Sequence, residues 1–331
     1  MTSQGTTVAL AINPTAGRGK GGVAGARAFE QLTSAGFGVR RLAGRNGADL
    51  AAQLAEVLAD GANGANGANG AQSLVVVGGD GMVHLGVNAV AGTTTPLGIV
   101  ACGTGNDIAR GLGLPVDDAA SAVTLITTHL RRDGPDCDDL SHRATARGRA
   151  IDAVRCTGPG QERHEWFAGV LGAGFDAIVN ERANRWSRPR GHLRYDLAIL
   201  RELPVFRPRE YHMVLDGQEW TTGAMLVVVG NGTSYGGGMR VCPGARLDDG
   251  LLDVLVVSPM SRVAFVRLYP RVYSGRHVDH PLVEVRRARR VDLACDGGIV
   301  AYGDGERMAP LPLTLETVPG ALRVLTGADS T

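Results

Sequence analysis

The sequence has almost no lysine and few aromatic residues. Of its 34 basic residues, 33 are arginine and Lys20 is the only lysine, which together with 48 glycines is typical of a GC-rich genome. Aromatic residues make up 5% of the chain, and the formal net charge is only +1. A charge so close to zero gives no overall attraction to nucleic acid, so we expect no nucleic-acid partner.

Cysteine and long apolar runs are scarce as well. The five cysteines are odd in number and form no C-x-x-C pair, which disfavours a zinc site and a disulfide framework. No apolar run approaches the roughly 18 residues of a membrane-spanning helix. The first five residues carry no basic-then-apolar signal. We therefore expect a cytoplasmic protein, with a peripheral position at the inner membrane face as the alternative.

The pattern of predicted strands and helices changes once along the chain, which predicts two domains. Its 331 residues are 44% hydrophobic, enough for two sizeable cores. We place the boundary in a polar, breaker-rich stretch, giving domains 1–133 and 134–331. The first alternates strands and helices, which predicts an α/β domain with a parallel sheet. The second has closely spaced apolar runs, which predict a mainly antiparallel β-sandwich. The predicted strands are 151–156, 166–171, 211–215, 225–229, 251–257, 282–286 and 291–294, with two more short strands in 311–325. The last strands, near 311–326, are open to a return to the first domain.

Three apolar strands of the first domain end in glycine-rich turns. These turns run from Asn13 to Gly22, from Gly78 to Met82 and from Cys102 to Asp107. Because the carboxyl ends of parallel strands meet at one edge of a sheet, we expect the turns to lie together. Backbone amides at the start of a helix bind phosphate, and glycine lets the phosphate approach closely. The sequence therefore predicts a phosphate-binding edge.

Two of these turns carry a carboxylate that would repel phosphate. Asp80 and Asp107 fit such an edge only if a metal ion or a proton-relay role accounts for them. Arg18 and Lys20 would add positive charge nearby, although a solvated surface position explains Lys20 equally well.

Two further motifs are weaker. Around Lys20, Pro14 stands where a P-loop needs its first glycine, and no Ser or Thr follows the lysine. Gly172 to Ala177 matches G-x-G-x-x-A, with Asp196 about 20 residues further on. Basic, helical residues follow it instead of a crossover to a second strand, so we expect no dinucleotide site there.

Together the motifs resemble a known family over nearly the whole chain. Asn13-Pro14-x-x-Gly17, Gly78-Gly79-Asp80-Gly81 and Gly103-Thr104-Gly105-Asn106-Asp107 resemble the diacylglycerol kinase catalytic domain of bacterial soluble lipid kinases. The C-terminal half is similar to the same family in Asn231-Gly232, in Tyr235 to Met239, in Asp248 to Val254 and in Asp304-Gly305-Glu306. The resemblance implies a first domain like those of phosphofructokinases and NAD kinases, followed by a β-sandwich lipid-substrate domain.

The resemblance also implies roles at the matching positions. The residues implied to hold ATP are Asn13, Pro14, Thr15, Ala16, Gly17, Gly79, Asp80, Gly81, Met82 and Thr104. Asp304 would be the general base for the lipid hydroxyl, with Asp80 and Asp107 in the network around a catalytic Mg²⁺. Asp249, with the carbonyls of Arg246 and Leu251, would hold a structural Mg²⁺; a plain Asp-Gly turn is the alternative. The carboxylates come from both domains, so we expect an interdomain site.

The activity implied is ATP-dependent phosphorylation of diacylglycerol to phosphatidic acid. One alternative is another lipid alcohol: a sphingoid base, ceramide or phosphatidylglycerol. A nucleotide-binding regulator with little turnover is the second, because Met82 stands where the family usually has threonine. Besides ATP and the lipid, a membrane surface is an expected partner, through basic and aromatic residues between Arg182 and Tyr195; a solvated helix face explains them nearly as well. A homodimer is left open.

Overall fold

The computed structural model describes residues 6–62, 70–132, 148–161, 164–186 and 192–327. The chain divides into two compact units, the first formed by Met1–Ile151 with Gly320–Thr331 and the second by Asp152–Pro319. The predicted boundary between residues 133 and 134 lies outside the described residues, so it stays a prediction.

The first unit is an α/β layer structure with a parallel sheet. Its strands have the order β2-β1-β3-β4, and each neighbouring pair is parallel. Near the end of the chain, Val324 pairs in parallel with Leu97 of β4. The elements are β1 Thr7–Ile12, α1 Lys20–Ser34, β2 Gly38–Leu42, α2 Gly47–Ala62, β3 Ser73–Gly78, α3 Asp80–Val90, β4 Leu97–Ala101, α4 Asp107–Gly111 and α5 Ala119–Arg132. The predicted parallel α/β fold is thereby confirmed.

Helices cover both faces of this sheet at β1, β3 and β4, which explains the nearly continuous apolar runs of these three strands. On one face, Leu10 and Val75 pack in a buried cluster with Leu32 of α1 and Ile126 of α5. On the other face, α3 lies so close that a Cβ on Gly86 would be 2.9 Å from side-chain atoms of both Val76 and Leu97. A parallel strand covered on both faces is apolar at nearly every position. The edge strand β2 departs from this pattern with Arg40 and Arg41.

The second unit contains two sheets. One runs β6-β5-β16-β13-β8-β9 and the other β12-β11-β10-β7-β14-β15, and the pairs whose register is defined within this unit are antiparallel. The elements are β5 Arg149–Thr157, β6 Glu165–Phe167, β7 Val170–Gly172, α6 Phe175–Arg185, α7 His192–Glu202, β8 Arg209–Leu215, β9 Gln218–Ala224, β10 Leu226–Gly230, β11 Leu252–Val257, α8 Arg262–Leu268, β12 Val283–Ala288, β13 Arg290–Cys295, β14 Val300–Gly303, β15 Glu306–Pro310 and β16 Leu313–Val324. The predicted β-sandwich is confirmed.

Two apolar clusters hold this unit together. Phe167, Tyr211 and Val254 belong to the cluster between the two sheets. The second cluster lies under the helices, where the ring of Phe175 meets those of Phe206 and Phe265 edge-on at centroid distances of 5.1 and 5.3 Å. Aromatic pairs favour this geometry. Of the helices in the described part of the chain, none is long and apolar enough to cross a bilayer.

The structure differs from the sequence prediction between Trp166 and Leu171. The apolar pattern predicts one strand there, but β6 and β7 belong to different sheets. The chain turns between them, at Ala168 and Gly169, because distant polar groups bind the backbone of that turn. Three strands were not predicted at all, namely β9, β14 and β15, and the tail forms the single strand β16 instead of two.

Candidate active site

The three glycine-rich turns of the first unit lie side by side at the carboxyl edge of its sheet. The strand ladders continue into the turns: the Asn13 N–H donates to the Val77 carbonyl at 3.0 Å, and the Cys102 N–H to the Gly78 carbonyl at 2.9 Å. The turns therefore meet as the order of parallel strands predicts.

Glycine is required where these turns touch. Gly17 has φ +56°, and a Cβ there would overlap the carbonyl oxygen of Cys102. A Cβ on Gly103 would overlap the Cα of Gly79 in the same way. Side chains at these points would separate the turns, so the glycines allow the backbones to form one surface.

The first turn is ordered by its own side chains. The Asn13 Oδ1 accepts the Thr15 N–H at 3.1 Å and the Thr15 hydroxyl at 2.8 Å. Lys20 forms an ion pair with Asp117 at 3.2 Å, and both side chains are largely solvent-exposed. Such a pair contributes little to stability. A phosphate contact of Lys20 stays a prediction.

Asp80, the first residue of α3, binds the backbone of the third turn, Cys102 to Asp107. Its Oδ2 accepts the N–H of Asn106 at 2.7 Å, and its Oδ1 accepts the N–H of Asp107 at 2.8 Å. Asn106, at φ +58°, also closes the turn on itself by two 2.9 Å hydrogen bonds between its side-chain amide and the backbone of Gly103. The two amide donors stabilise the carboxylate at the predicted phosphate-binding edge, a role that the sequence did not indicate.

Asp80 and Asp107 both face Gly105. A Cβ on Gly105 would overlap Asp80 Oδ2 and would lie 3.4 Å from Asp107 Oδ2. Carboxylate oxygens are the ligands that Mg²⁺ prefers, together with water and phosphate oxygens. Within the described ranges, no three His, Cys, Asp or Glu side chains are grouped to hold a metal. A Mg²⁺ held by these two carboxylates, with its other ligands from a nucleotide and water, therefore stays a prediction.

The other predicted nucleotide contacts fall at the surface of the three turns, with one exception. Met82 is only 6% exposed, and its side chain packs against Gly78. Its side chain therefore faces the end of β3 rather than solvent. Pro14, Thr15, Gly81 and Thr104 are exposed, while Ala16, Gly17 and Gly79 are partly exposed.

Asp304 holds a backbone turn in the second unit. It lies at φ +53° between β14 and β15, and the Asp-Gly pair that it forms with Gly305 is a hairpin signal that could have revealed both strands. Its Oδ1 accepts the N–H groups of Gly169 and Val170 at 2.8 and 3.2 Å, and its Oδ2 accepts that of Ala168 at 3.0 Å. These bonds fix the carboxylate in one orientation.

Asn231 supports the same turn through that turn's backbone carbonyl groups. Its Nδ2 donates to the carbonyls of Ala168 at 2.7 Å and Asp152 at 3.0 Å. The carbonyl of Gly169 accepts the N–H groups of Asn231 and Gly232 at 2.9 and 2.8 Å. The motif Asn231-Gly232 therefore positions the segment that positions Asp304.

The predicted structural Mg²⁺ ligand Asp249 is already paired. Its Oδ2 lies 3.1 Å from Nη2 of Arg287, and its Oδ1 accepts the Leu251 N–H at 3.1 Å. The same guanidinium contacts Asp253 at 2.8 Å. As arranged, the Arg287 guanidinium would compete with a metal ion for the Asp249 carboxylate. A metal held by Asp249, Arg246 and Leu251 stays a prediction.

The predicted basic and aromatic cluster is described only in part. Arg182 forms an ion pair with the buried carboxylate of Glu202, and Trp186 packs against the cluster under the helices. The side chains of Arg185, Arg188, Arg190, His192, Arg194 and Tyr195 lie outside the described residues.

Asp176 is a titratable group that sequence reasoning missed, because its motif matched only a weak dinucleotide pattern. Its carboxyl group packs directly on Gly172 at the start of α6, and the Tyr235 hydroxyl donates to its Oδ2 at 3.3 Å. Burial raises the pKa of Asp176 to about 7, and the hydrogen bonds offset only part of that effect. This carboxyl group is therefore partly protonated at neutral pH.

Two family models match the chain. The one described as a diacylglycerol kinase catalytic domain matches residues 7–134, and the one described as a YegS C-terminal NAD kinase beta sandwich-like domain matches residues 169–326. The diacylglycerol kinase of Mycobacterium tuberculosis is 38% identical over 320 residues, which is 96% of this chain and 94% of that protein. A protein of Xanthomonas axonopodis named "Probable lipid kinase YegS-like" is 28% identical, with coverage of 81% and 80%.

Solved structures show the same fold. A Bacillus anthracis crystal structure described as a diacylglycerol kinase has a TM-score of 0.65 and 20% identity, covering 98% of each chain. A second structure from that organism has a TM-score of 0.71 and 22% identity, covering 98% of this chain and 99% of that one.

Gly105→Ala should displace the Asp80 carboxylate or the turn that carries Asp107. The added methyl group overlaps Asp80 Oδ2, so the carboxylate or the turn must move. We expect Mg²⁺-dependent nucleotide binding to weaken by about tenfold or more, since binding sites need their ligands held in place. Isothermal titration of ATP with and without Mg²⁺ measures this. Gly47→Ala is the matched control, because nothing lies within 4 Å of its added Cβ. Equal affinities of the two variants would contradict the prediction.

Asp176→Asn should change how stability depends on pH. The folded pKa of about 7 lies above the ordinary value of 3.8, so the folded state binds the proton more tightly than the unfolded state. The contribution of Asp176 to the free energy of unfolding of the wild type therefore falls as pH rises from about 4 to about 7. Asparagine does not titrate, so the stability of the variant relative to the wild type should increase over that range. Urea denaturation at several pH values tests this, with the exposed Asp296→Asn as control; parallel pH profiles for Asp176→Asn and the wild type would refute it.

Proposed function

Because the chain belongs to the family of diacylglycerol kinases and YegS-like lipid kinases, we propose that it phosphorylates the free hydroxyl of diacylglycerol with ATP, giving phosphatidic acid. The observation that carries this proposal is the convergence of Asp80 and Asp107 on Gly105, beside three glycine-rich turns. Phosphoryl transfer depends on positioning and charge neutralisation more than on covalent chemistry, and this edge offers both.

We assign ATP to the three turns. Their glycines let backbones approach a ligand closely, and amides at the starts of helices favour phosphate. Asn13 to Gly17, Gly79 to Met82 and Thr104 are the proposed contacts. Met82 would contribute through its backbone, since its side chain is buried against Gly78.

Asp80 and Asp107 are the proposed holders of a catalytic Mg²⁺. When bound, Mg²⁺ neutralises charge on the transferred phosphoryl group. Asp80 has a second role in this proposal, because it accepts hydrogen bonds from the N–H groups of Asn106 and Asp107 and so holds the turn that contains them in place. The same hydrogen bonds hold Asp107 near it.

Asp304 is the proposed general base for the lipid hydroxyl. A general base must reach the proton that it removes, so its position matters first. Three backbone N–H groups donate to the Asp304 carboxylate, and Asn231 stabilises the turn that contains these groups by a hydrogen bond to the Ala168 carbonyl. The proposed roles are thus divided between the units, with the nucleotide assigned to the first and proton removal to the second.

The acceptor lipid is the finer part of the proposal. Diacylglycerol is favoured because the relative that is 38% identical over 96% of this chain is named a diacylglycerol kinase. The relative named "Probable lipid kinase YegS-like", whose printed name specifies no acceptor, is less similar at 28% identity. A sphingoid base, ceramide or phosphatidylglycerol are the competing acceptors. A regulator without turnover is not proposed, because no carboxylate of the motifs is lost.

A panel of lipids in mixed micelles tests the acceptor directly. With γ-labelled ATP and Mg²⁺, we expect label in phosphatidic acid and at least about tenfold less in the products from the competing acceptors, since a site specific for one polar group rejects others strongly. Label in another lipid with none in phosphatidic acid would overturn the diacylglycerol assignment while leaving a lipid kinase. Absence of label from every lipid would overturn the proposed function.

Asp304→Asn tests the assigned base. An amide cannot accept the hydroxyl proton, so the rate should fall by about two to four orders of magnitude while ATP still binds. Steady-state kinetics and nucleotide titration separate the two effects, and the thermal midpoint shows whether the turn at Ala168–Val170 survives. The nearby exposed Asp296→Asn is the control and should keep full activity. Near-normal turnover by a folded Asp304→Asn would show that another group removes the proton.

A further inference from the structure

Two helices of the second unit bury their inner faces and also expose apolar side chains on their outer faces. In α8, Phe265 and Leu268 join the cluster beneath the helices, yet Val263 and Val266 point outward and are 60% and 51% exposed. Leu200 in α7 is 66% exposed, and Val205 in the following turn is 69% exposed. Isolated exposed apolar residues are ordinary, whereas a contiguous group marks an interaction surface.

These residues form one surface because α8, the end of α7 and the turn after α7 contact one another or the same buried ring. Arg262, at the start of α8, donates from Nε to the carbonyl of Leu203 at 3.1 Å, which ties α8 to the end of α7. Phe175 contacts both Phe206 and Phe265, so the turn after α7 and the helix α8 rest on the same ring. Tyr273, which is 49% exposed, follows α8 and packs edge-on against Tyr269.

The charge of this surface is mostly positive. Residues 197–209 and 259–278 contain seven arginines and a single acidic residue, Glu202, and the exposed acids Glu210 and Asp279 follow directly after the two ranges. Glu202 is buried and paired with Arg182, so it does not offset the arginines at the surface. The exposed arginines are Arg201, Arg207, Arg262, Arg267, Arg271 and Arg276. Arginines therefore outnumber the exposed acids around the exposed valines, leucine and tyrosine. We call this set of residues the arginine–apolar surface.

We propose that the arginine–apolar surface docks on an anionic lipid bilayer. Apolar side chains enter the boundary between headgroups and acyl chains, and arginines beside them bind lipid phosphates. Tyrosine suits the same boundary, because its ring is apolar and its hydroxyl stays hydrated. A second copy of the chain is the less suitable occupant, since a two-fold interface would bring the same arginines of both copies face to face.

The inference rests on the proposed function in one respect, namely that the acceptor is a lipid embedded in a bilayer. The arginine–apolar surface is the part of the second unit that would meet that bilayer. The proposed membrane contact therefore lies at α8 and the end of α7 instead of at the predicted cluster around Arg182. Arg182 is engaged with Glu202, whereas Arg201, Arg267 and Arg271 are exposed.

Vesicle sedimentation without ATP tests the surface apart from catalysis. The wild type should bind vesicles of phosphatidylglycerol and phosphatidylcholine, and should bind pure phosphatidylcholine far less. An arginine near an anionic membrane contributes about a fivefold change in binding, so Arg201→Gln, Arg267→Gln and Arg271→Gln together should reduce partitioning roughly a hundredfold. Leu200→Gln, Val205→Gln and Val266→Gln together should reduce it about tenfold or more.

Matched variants elsewhere exclude a general effect of charge or polarity. Arg27→Gln, Arg45→Gln and Arg289→Gln remove three exposed arginines, and Val23→Gln with Val285→Gln changes exposed apolar residues; none of these five residues belongs to the arginine–apolar surface. These variants should bind vesicles within about twofold of the wild type, because they leave the arginine–apolar surface intact. Thermal midpoints check that every variant is folded.

An activity assay separates this inference from the proposed function. The surface variants should phosphorylate a dispersed short-chain diacylglycerol at the wild-type rate but lose activity on diacylglycerol in vesicles. Vesicle binding unchanged in both triple variants, or no binding by the wild type, would overturn the docking surface even if the kinase is active. Self-association that the apolar triple variant abolishes, without vesicle binding, would assign the surface to a second copy and also overturn the proposal. Absence of phosphorylation with intact vesicle binding would overturn only the function.

Discussion

The arrangement of the candidate site depends on one carboxylate that binds backbone amides. Asp80 belongs to the turn after β3, yet its hydrogen bonds go to Asn106 and Asp107, which are 26 and 27 residues further along the chain. A carboxylate that accepts two amide hydrogens is bound strongly, because both bonds are charge-assisted. Asp304 repeats the principle in the second unit with three amides of the turn at Ala168–Val170. In each case the aspartate first organises another segment, and any chemical role is built on that.

This dependence explains how far the sequence could predict the fold. The parallel sheet was predictable because its signals are local, namely apolar strands followed by glycine-rich turns. The division of Trp166–Leu171 between two sheets was not, because the turn there is stabilised by Asp304 and Asn231, which are distant in sequence. A periodic apolar pattern does not show where a distant side chain will bind the backbone. The hairpin β14–β15 is a different case, since Asp304-Gly305 is a turn signal within the sequence itself.

The candidate site shows the same limit. That the three turns meet follows from strand order, and the glycines at their contacts follow from the need for close backbones. Burial and pairing could not be inferred in the same way. Asp249 and Arg287 are 38 positions apart, and only the folded second unit shows that the guanidinium lies at 3.1 Å from the carboxylate. The motif at Gly172–Ala177 likewise gave no indication that Asp176 is a buried acid, because burial depends on how α6 packs on β7.

Met82 illustrates why a departure from a motif must be judged by where the side chain goes. Asp80 and Met82 are two positions apart at the start of α3, and their side chains have different surroundings. Asp80 reaches the turn at Asn106 and Asp107, whereas Met82 is buried against Gly78 at the end of β3. A methionine fills such an apolar gap readily because its side chain is flexible. The change from the family's threonine therefore alters the packing between α3 and β3, while the Asp80 carboxylate keeps the hydrogen bonds that position it.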